Sequence, residues 1–156
     1  MEPVTRFKCP DFKDVWVSYI HSKKTLKVRH GQDGEYFQGI SYYNLSSDIE
    51  SKILKVLPEH LRNEFEVLLM VINAKEVPHI DSDCKAAINF YMKTGSGKTS
   101  FYSETLQETF SFVAKEDEAW ILNTKVPHSV TCDTIRIAFV LQSFKHSYED
   151  VVKMFS

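Results

Sequence analysis

The sequence is poor in cysteine, in long apolar segments and in excess charge of either sign. Its 156 residues include three cysteines, Cys9, Cys84 and Cys132, and none of them forms a Cys-x-x-Cys pair. An odd number without paired spacing argues against a disulfide framework and favours a reducing compartment. The first fourteen residues are charged and lack the apolar core of a secretory signal. We therefore predict a cytoplasmic protein.

The lack of a long apolar run and of excess positive charge limits which partners the chain can bind. The longest apolar run, Val67 to Ile72, is far shorter than the roughly 20 residues that cross a bilayer. The formal net charge of -2 excludes a strong overall positive field, which nucleic-acid binders rely on. We expect neither a membrane nor a nucleic acid as partner, and the sequence leaves the oligomeric state open.

The first third of the chain has helical patterning. Ser46 to Leu61 is predicted to form a helix because apolar residues recur at helical spacing and Pro58 then interrupts them. Ser47 is the predicted N-cap, with Glu50 three residues on as a capping box requires. A second helix is predicted from Asp11 to Ile20.

From Phe65 onward the pattern is that of short strands separated by turn-forming residues. The predicted strands are Phe65 to Asn73, Ala86 to Met92, Ser100 to Tyr102, Thr109 to Val113, Ala119 to Leu122 and Ile135 to Gln142. Many short strands indicate a mainly β sandwich or barrel, of which the jelly roll is one form. We predict one domain over residues 1–156, with a helical or irregular support at 1–64, a β core at 65–143 and a tail at 144–156.

The tripeptide His79-Ile80-Asp81 is the first candidate for chemistry. On an extended chain, residues two apart face the same side, so the imidazole and the carboxylate can share one metal ion. His128 follows after several predicted strands and is the candidate third ligand. Two histidines and one carboxylate form the facial triad of non-haem Fe(II) oxygenases. The alternative is a surface histidine beside an aspartate.

Arg136 is the second candidate. It lies in an alternating strand whose two faces are both mostly apolar, so its guanidinium is predicted to be buried. A buried guanidinium needs an anion, and its fork suits a carboxylate. That carboxylate belongs either to a bound ligand or to an internal Asp or Glu.

Other residues near these candidates allow two interpretations. Asn89 and Tyr91 share one face of a strand and either reach a bound carboxylate or face water at a sheet edge. Tyr102 and Trp120 either line the same cavity or pack in the core.

The segment from Gly95 to Thr99 is similar to the end of a phosphate-binding loop. However, Met92 stands where that motif needs glycine, so we predict a hairpin loop.

In order and spacing, His79-x-Asp81, His128 and Arg136 resemble the 2-oxoglutarate/Fe(II)-dependent dioxygenase superfamily, and in particular its small bacterial and phage members. The resemblance covers roughly Phe65 to Ser143. It implies a double-stranded β-helix, the jelly roll of cupin-like proteins. It also implies that His79, Asp81 and His128 hold Fe(II) and that Arg136 pairs with 2-oxoglutarate, with O2 as the other co-substrate. Many members carry serine or threonine two positions after the arginine, where this chain has Ala138.

The resemblance implies a hydroxylase that acts on a small molecule or on a protein side chain and releases succinate and CO2. By analogy, an amino-acid side chain, free or in a protein, is the expected substrate. Thr25 to Asn44 and Lys93 to Lys98 are the expected substrate-selecting loops. The main alternative is a non-catalytic, cupin-like metal-binding or sensing protein. A metal-dependent isomerase or hydrolase on the same barrel is a further alternative.

Overall fold

The structure is a computed structural model that describes residues 2–21, 28–29, 40–73 and 75–156. Ten strands and three α-helices are numbered here in chain order. The strands are β1 (Val4–Lys8), β2 (Val28–Arg29), β3 (Ile40–Asn44), β4 (Phe65–Ile72), β5 (Ala86–Lys93), β6 (Lys98–Tyr102), β7 (Glu108–Val113), β8 (Glu118–Leu122), β9 (His128–Thr131) and β10 (Arg136–Ser143). The helices are α1 (Lys13–His21), α2 (Ser47–Leu54) and α3 (Tyr148–Met154), and a 3₁₀ helix spans Glu59–Glu64.

The strands form two antiparallel sheets that match the predicted jelly roll. The large sheet has the order β1-β8-β5-β10-β4-β3-β2, and the small sheet has the order β7-β6-β9. The three central strands, β5, β10 and β4, are eight residues long and mostly buried on both faces. Their near-continuous apolar sequences follow from this position, because each face is covered by other elements.

The two faces of the large sheet contact different partners. On the outer face, Phe139 packs in one apolar cluster with Phe12 near α1 and with Ile49 and Ile53 of α2. On the inner face, Val140 packs with Phe101 of the small sheet. The alternation predicted for β10 is therefore confirmed. The helices cover the outer face, while the inner face is left to the small sheet and to the cavity between the sheets.

Several boundaries differ from the sequence predictions. The N-cap of α2 is Ser46, whose hydroxyl accepts from the Ile49 amide at 3.4 Å, so the prediction of Ser47 was wrong. This helix ends at Leu54 rather than at Leu61, and the 3₁₀ helix follows it. Residues 1–64, predicted to be helical or irregular, also contain strands: β1 pairs with β8, and β3 pairs with β4. The C-terminal segment 144–156 contains α3.

The connection from β5 to β6 is not a hairpin loop, because the two strands belong to different sheets. It carries the chain from the large sheet to the small one, and it contains the Lys93 to Lys98 segment. Of the other expected substrate-selecting loop, residues 25–27 and 30–39 lie outside the described part of the chain. Within that part, no helix is long and apolar enough to cross a membrane.

Candidate active site

The segment that carries His79 lies alongside β9, which carries His128. The amide of His79 donates to the His128 carbonyl at 3.0 Å, and the amide of His128 donates back to the His79 carbonyl at 2.9 Å. A further bridge pairs Lys75 with Thr131. The segment is therefore extended, as predicted, and extends the small sheet beside β9. This pairing brings together two histidines that are far apart in the sequence.

The three predicted metal ligands converge. Oδ1 of Asp81 lies 3.6 Å from Nε2 of His79 and 3.5 Å from Nε2 of His128. The ligand atoms of all three residues lie within 4.8 Å of one another. Two metal–ligand bonds of about 2 Å each span at most about 4 Å, so the separations of 3.5 and 3.6 Å already fit a shared cation, and the third pair of ligand atoms needs at most a small approach.

Main-chain carbonyls orient both imidazoles toward the Asp81 carboxylate. Nδ1 of His79 lies 3.0 Å from the Val77 carbonyl, and Nδ1 of His128 lies 2.8 Å from the Val126 carbonyl. A carbonyl only accepts, so each Nδ1 carries the proton and each Nε2 keeps its lone pair. The rings are thus held in the tautomer that binds a metal through Nε2.

The pKa values in the site reflect burial and neighbouring charge. Burial lowers the pKa of His79, which favours the neutral ligand form. Burial also acts to lower the pKa of His128, but the hydrogen bond and the charge of Asp81 outweigh it and raise that pKa. Burial raises the pKa of Glu76 to about 7. A second carboxyl group, more basic than usual, therefore lies beside the triad.

Arg136 is buried without an ion-pair partner among the described residues, although Glu76 lines the same cavity and the charge of Arg136 acts to lower the pKa of Glu76. Its side chain is among the most deeply buried in the chain, at 1% exposure. Nη1 donates to the Thr99 hydroxyl at 2.9 Å, and the guanidinium carbon lies 4.3 Å from the centre of the Tyr91 ring. Nε and Nη2 have no hydrogen-bond partner, and Arg136 forms no ion pair within the described residues. The interpretation as a structural salt bridge therefore finds no partner there.

Asn89 and Tyr91 lie beside Arg136 on the central strand β5, so the alternative of a water-facing edge pair was wrong. The Asn89 amide nitrogen donates to the Tyr91 hydroxyl at 3.0 Å, while the amide oxygen is buried without a partner. A single cavity is lined by Asn89, Tyr91 and Arg136 together with His79, Asp81 and His128. The residues that carry the unsatisfied polar atoms and the residues of the triad thus line the same cavity.

This arrangement was compared with known proteins. No protein-family model and no curated protein sequence matches the chain. Solved structures do: a prolyl-4-hydroxylase from Pseudomonas putida has a TM-score of 0.67 at 12% identity, over 94% of this chain and 95% of that one. A 2OG-Fe(II) oxygenase-family oxidoreductase from Burkholderia pseudomallei has a TM-score of 0.62 at 11% identity, over 93% and 85%.

A third similar structure is a prolyl hydroxylase from Trichoplax adhaerens in complex with a peptide fragment of the hypoxia-inducible factor oxygen degradation domain. Its TM-score is 0.59 at 11% identity, over 98% of this chain and 86% of that one. All three similarities extend over almost the whole described chain. It shares the fold of these oxygenases.

Within this fold, the segment from Gly95 to Thr99 packs against Arg136, and its Thr99 lines the cavity. A Cβ atom at Gly97 would lie 2.8 Å from Sγ of Cys132 and 3.2 Å from Cδ of Arg136, so only glycine fits without a shift. Thr99 supplies the hydroxyl that bonds the guanidinium. Thr99 thus provides a hydroxyl contact to the guanidinium, which Ala138, two positions after Arg136, lacks the hydroxyl to make.

Tyr102 and Trp120 are not among the residues that line the cavity of the oxygenase fold. The Tyr102 hydroxyl lies 2.8 Å from the Ser129 hydroxyl, on the small sheet. Trp120 stacks on Phe112 with ring centres 4.0 Å apart. Both aromatic side chains therefore act in packing rather than in the site.

Among the polar residues that line the cavity, Glu76 and Thr99 were not candidates in the sequence analysis, and Tyr42 was expected only as part of a substrate-selecting loop. Glu76 stands three positions before His79, but a glutamate in a short connecting segment carries no sign of burial in the sequence. Tyr42 lies on β3, which was predicted as a loop. The one available signal was for Thr99, because it lies two residues after Gly97 and at the start of a strand.

Proposed function

We propose that this chain is an Fe(II)- and 2-oxoglutarate-dependent oxygenase in which His79, Asp81 and His128 hold the iron and Arg136 holds the co-substrate. One observation carries the proposal. Two imidazoles and one carboxylate that converge line the same cavity as a buried guanidinium with two unpaired nitrogen atoms.

The donor set fits ferrous iron. Two imidazole nitrogens and one carboxylate oxygen are the ligands of the facial triad, which leaves coordination positions free for other molecules. Both imidazoles already present Nε2 through hydrogen bonds from Nδ1. His79, Asp81 and His128 therefore need only small side-chain movements to bind the metal.

The far end of the cavity fits a carboxylate. Nε and Nη2 of Arg136 are free to donate to one, and a dicarboxylate that also reaches the metal would satisfy both. The Tyr91 hydroxyl and the Asn89 amide supply further hydrogen-bonding atoms beside it. When bound, iron and 2-oxoglutarate together supply the oxidation of a C–H bond by O2, with release of succinate and CO2.

The remaining cavity residues fix the ligands and keep water out. Apolar side chains from the large sheet also line this cavity, namely Met70, Ile72, Leu122 and Val140. Removal of water strengthens the attraction between the Arg136 guanidinium and a bound carboxylate. It also protects a reactive centre from side reactions.

The substrate that we propose is an amino-acid side chain, free or in a protein, which the chain would hydroxylate in the cytoplasm. Two of the similar structures are prolyl hydroxylases, and one of them holds a peptide fragment. These similarities support a small-molecule or peptide-like substrate at the cavity mouth. They lend no support to a nucleic acid.

The proposal is tested by succinate formation. Purified protein with Fe(II), 2-oxoglutarate and O2 is expected to produce succinate above the enzyme-free rate, even without a primary substrate. Asp81→Ala is expected to abolish this production because a metal ligand is lost. Arg6→Met is the control, since Arg6 is exposed and contacts Trp120 and Glu118 rather than the cavity. Neither succinate nor 2-oxoglutarate binding from the wild type would refute the oxygenase and favour a non-catalytic metal-binding protein.

The role of Arg136 is tested separately. Arg136→Ala is expected to weaken 2-oxoglutarate binding while Co(II), a redox-stable substitute for Fe(II), still binds with wild-type affinity. Isothermal titration calorimetry measures both. Unchanged 2-oxoglutarate affinity in this variant would refute the assignment of Arg136.

A further inference from the structure

The segment that carries Asp81 has little regular structure of its own. The strand-like pairing with β9 ends at His79, and β5 begins only at Ala86. A carboxylate on such a segment would sample many positions unless other groups fix its main chain. The groups that fix it come from residues 123–127, the turn between β8 and β9.

Lys125 is the central residue of this turn. Its ammonium donates to the carbonyl of Asp81 at 2.9 Å and to the carbonyl of Ser82 at 2.7 Å. The Asp81 amide donates to the Thr124 carbonyl at 3.1 Å, and the Thr124 hydroxyl donates to the Cys84 carbonyl at 2.7 Å. The turn therefore binds both sides of the peptide unit that carries the Asp81 carboxylate.

The same turn also orients the third ligand. The Asn123 side chain accepts from the Lys125 amide at 3.1 Å, which fixes the shape of the turn. Val126, the next residue, supplies the carbonyl that holds Nδ1 of His128 at 2.8 Å. A movement of Lys125 would thus disturb the placement of Asp81 relative to His128.

We infer that Lys125 is a positioning residue that holds Asp81 at the distance from His128 that a shared metal ion requires. The inference rests on the proposed function. It predicts that the ammonium acts on metal affinity rather than on the fold, because Lys125 is exposed and exposed polar contacts contribute little to stability.

Three variants test this role. Lys125→Met keeps the length of the side chain but removes its donors, and Lys125→Arg restores donors. Lys145→Met is the matched control, because Lys145 is also exposed and also donates a 2.7 Å hydrogen bond, to Glu64. Each chain is titrated with Co(II) by calorimetry, its Co(II) absorption spectrum is recorded, and its metal-free melting temperature is measured.

Loss of groups that support metal ligands costs about 10- to 100-fold in affinity. Because Lys125 acts on the main chain of the ligand, we expect about 10-fold weaker Co(II) binding and an altered spectrum in Lys125→Met. Lys125→Arg should bind within about 2-fold of the wild type. The melting temperatures of all three metal-free variants should stay close to that of the wild type.

A metal-independent readout completes the test. In the metal-free chain, the amide hydrogen of Asp81 should exchange faster in Lys125→Met than in Lys145→Met, because the turn that accepts its hydrogen bond is loosened. Wild-type Co(II) affinity and spectrum in Lys125→Met would overturn the inference and leave the proposed function standing. A large fall in melting temperature would overturn it too, since the lysine would then be merely structural. A wild-type chain that binds no Co(II) would refute the metal site, and this inference with it.

Discussion

Replacement of Arg136 by methionine tests whether the buried guanidinium binds a ligand or stabilises the folded chain. Each buried polar group without a partner costs about 1–3 kcal/mol, so Nε and Nη2 together cost roughly 2–6 kcal/mol. The hydrogen bond to Thr99 offsets roughly 1.5–3 kcal/mol, and the contact with the Tyr91 ring offsets roughly 2 kcal/mol. These contributions nearly cancel.

We therefore expect Arg136→Met to leave the free energy of unfolding of the ligand-free chain unchanged, or to raise it by about 1 kcal/mol. A structural ion pair would behave differently, because its disruption costs about 3–5 kcal/mol. Bound 2-oxoglutarate should make the wild type more stable than the variant. At a 2-oxoglutarate concentration 100 times the dissociation constant, with Co(II) present, the wild type should gain about 2.7 kcal/mol and the variant almost nothing.

Urea unfolding followed by circular dichroism measures both quantities, with and without 2-oxoglutarate. Arg6→Met serves as the control, with an expected change within about 0.5 kcal/mol in either condition, because Arg6 is exposed. The reasoning is refuted if Arg136→Met loses more than about 3 kcal/mol without ligand. It is equally refuted if the wild type gains no stability from 2-oxoglutarate.

Three further predictions concern the metal, the second carboxyl group and the cavity wall. Asp81→Ala should abolish Co(II) binding in calorimetry while the near-ultraviolet circular dichroism stays native, because Asp81 supports no packing; loss of the native spectrum would contradict this. Burial raises the pKa of Glu76 from 4.5 to about 7, so the folded chain holds this proton more tightly than the unfolded chain. Its contribution to stability is complete below pH 4.5 and is lost as the pH rises through 7, a fall of about 3 kcal/mol that Glu76→Gln should remove in metal-free urea titrations. Gly97→Ala should lower the free energy of unfolding by about 1–3 kcal/mol, since its Cβ would lie 2.8 Å from the Cys132 sulfur. It should also weaken the binding of 2-oxoglutarate more than that of Co(II), because the added Cβ would displace Arg136. Equal weakening of both would argue against the contact between Gly97 and Arg136.

Local sequence patterns predicted the parts of this chain that depend on periodicity. Alternation in β10 placed Arg136 on an inward face, and the spacing of His79 and Asp81 placed their side chains together. These features follow from the geometry of an extended chain, which needs no knowledge of distant contacts. The predicted strands that correspond to β4–β8 and β10 begin and end within two residues of the observed ones, whereas β9 was not predicted.

Tertiary contacts decided what the sequence left open. Val4 to Lys8 forms a strand because β8 offers an edge to pair with, and nothing within those five residues indicates that edge. The burial of Glu76 likewise arises from its pairing with Val130 across the small sheet. By contrast, the Ser147 cap of α3 carried a local signal, with Asp150 three residues on, that helix prediction can use.

The pairing of the His79 segment with β9 has a consequence for how the protein matures. The histidines meet through two main-chain hydrogen bonds that join portions of the chain 49 residues apart, with β5 to β8 between them. A metal ion can bind all three ligands only after these intervening strands have folded, so a nascent or partly denatured chain has no complete set of ligands. Under the proposed function, bound iron would lower the population of the open state that proteases cleave, so iron supply would tune the lifetime of the protein in the cell.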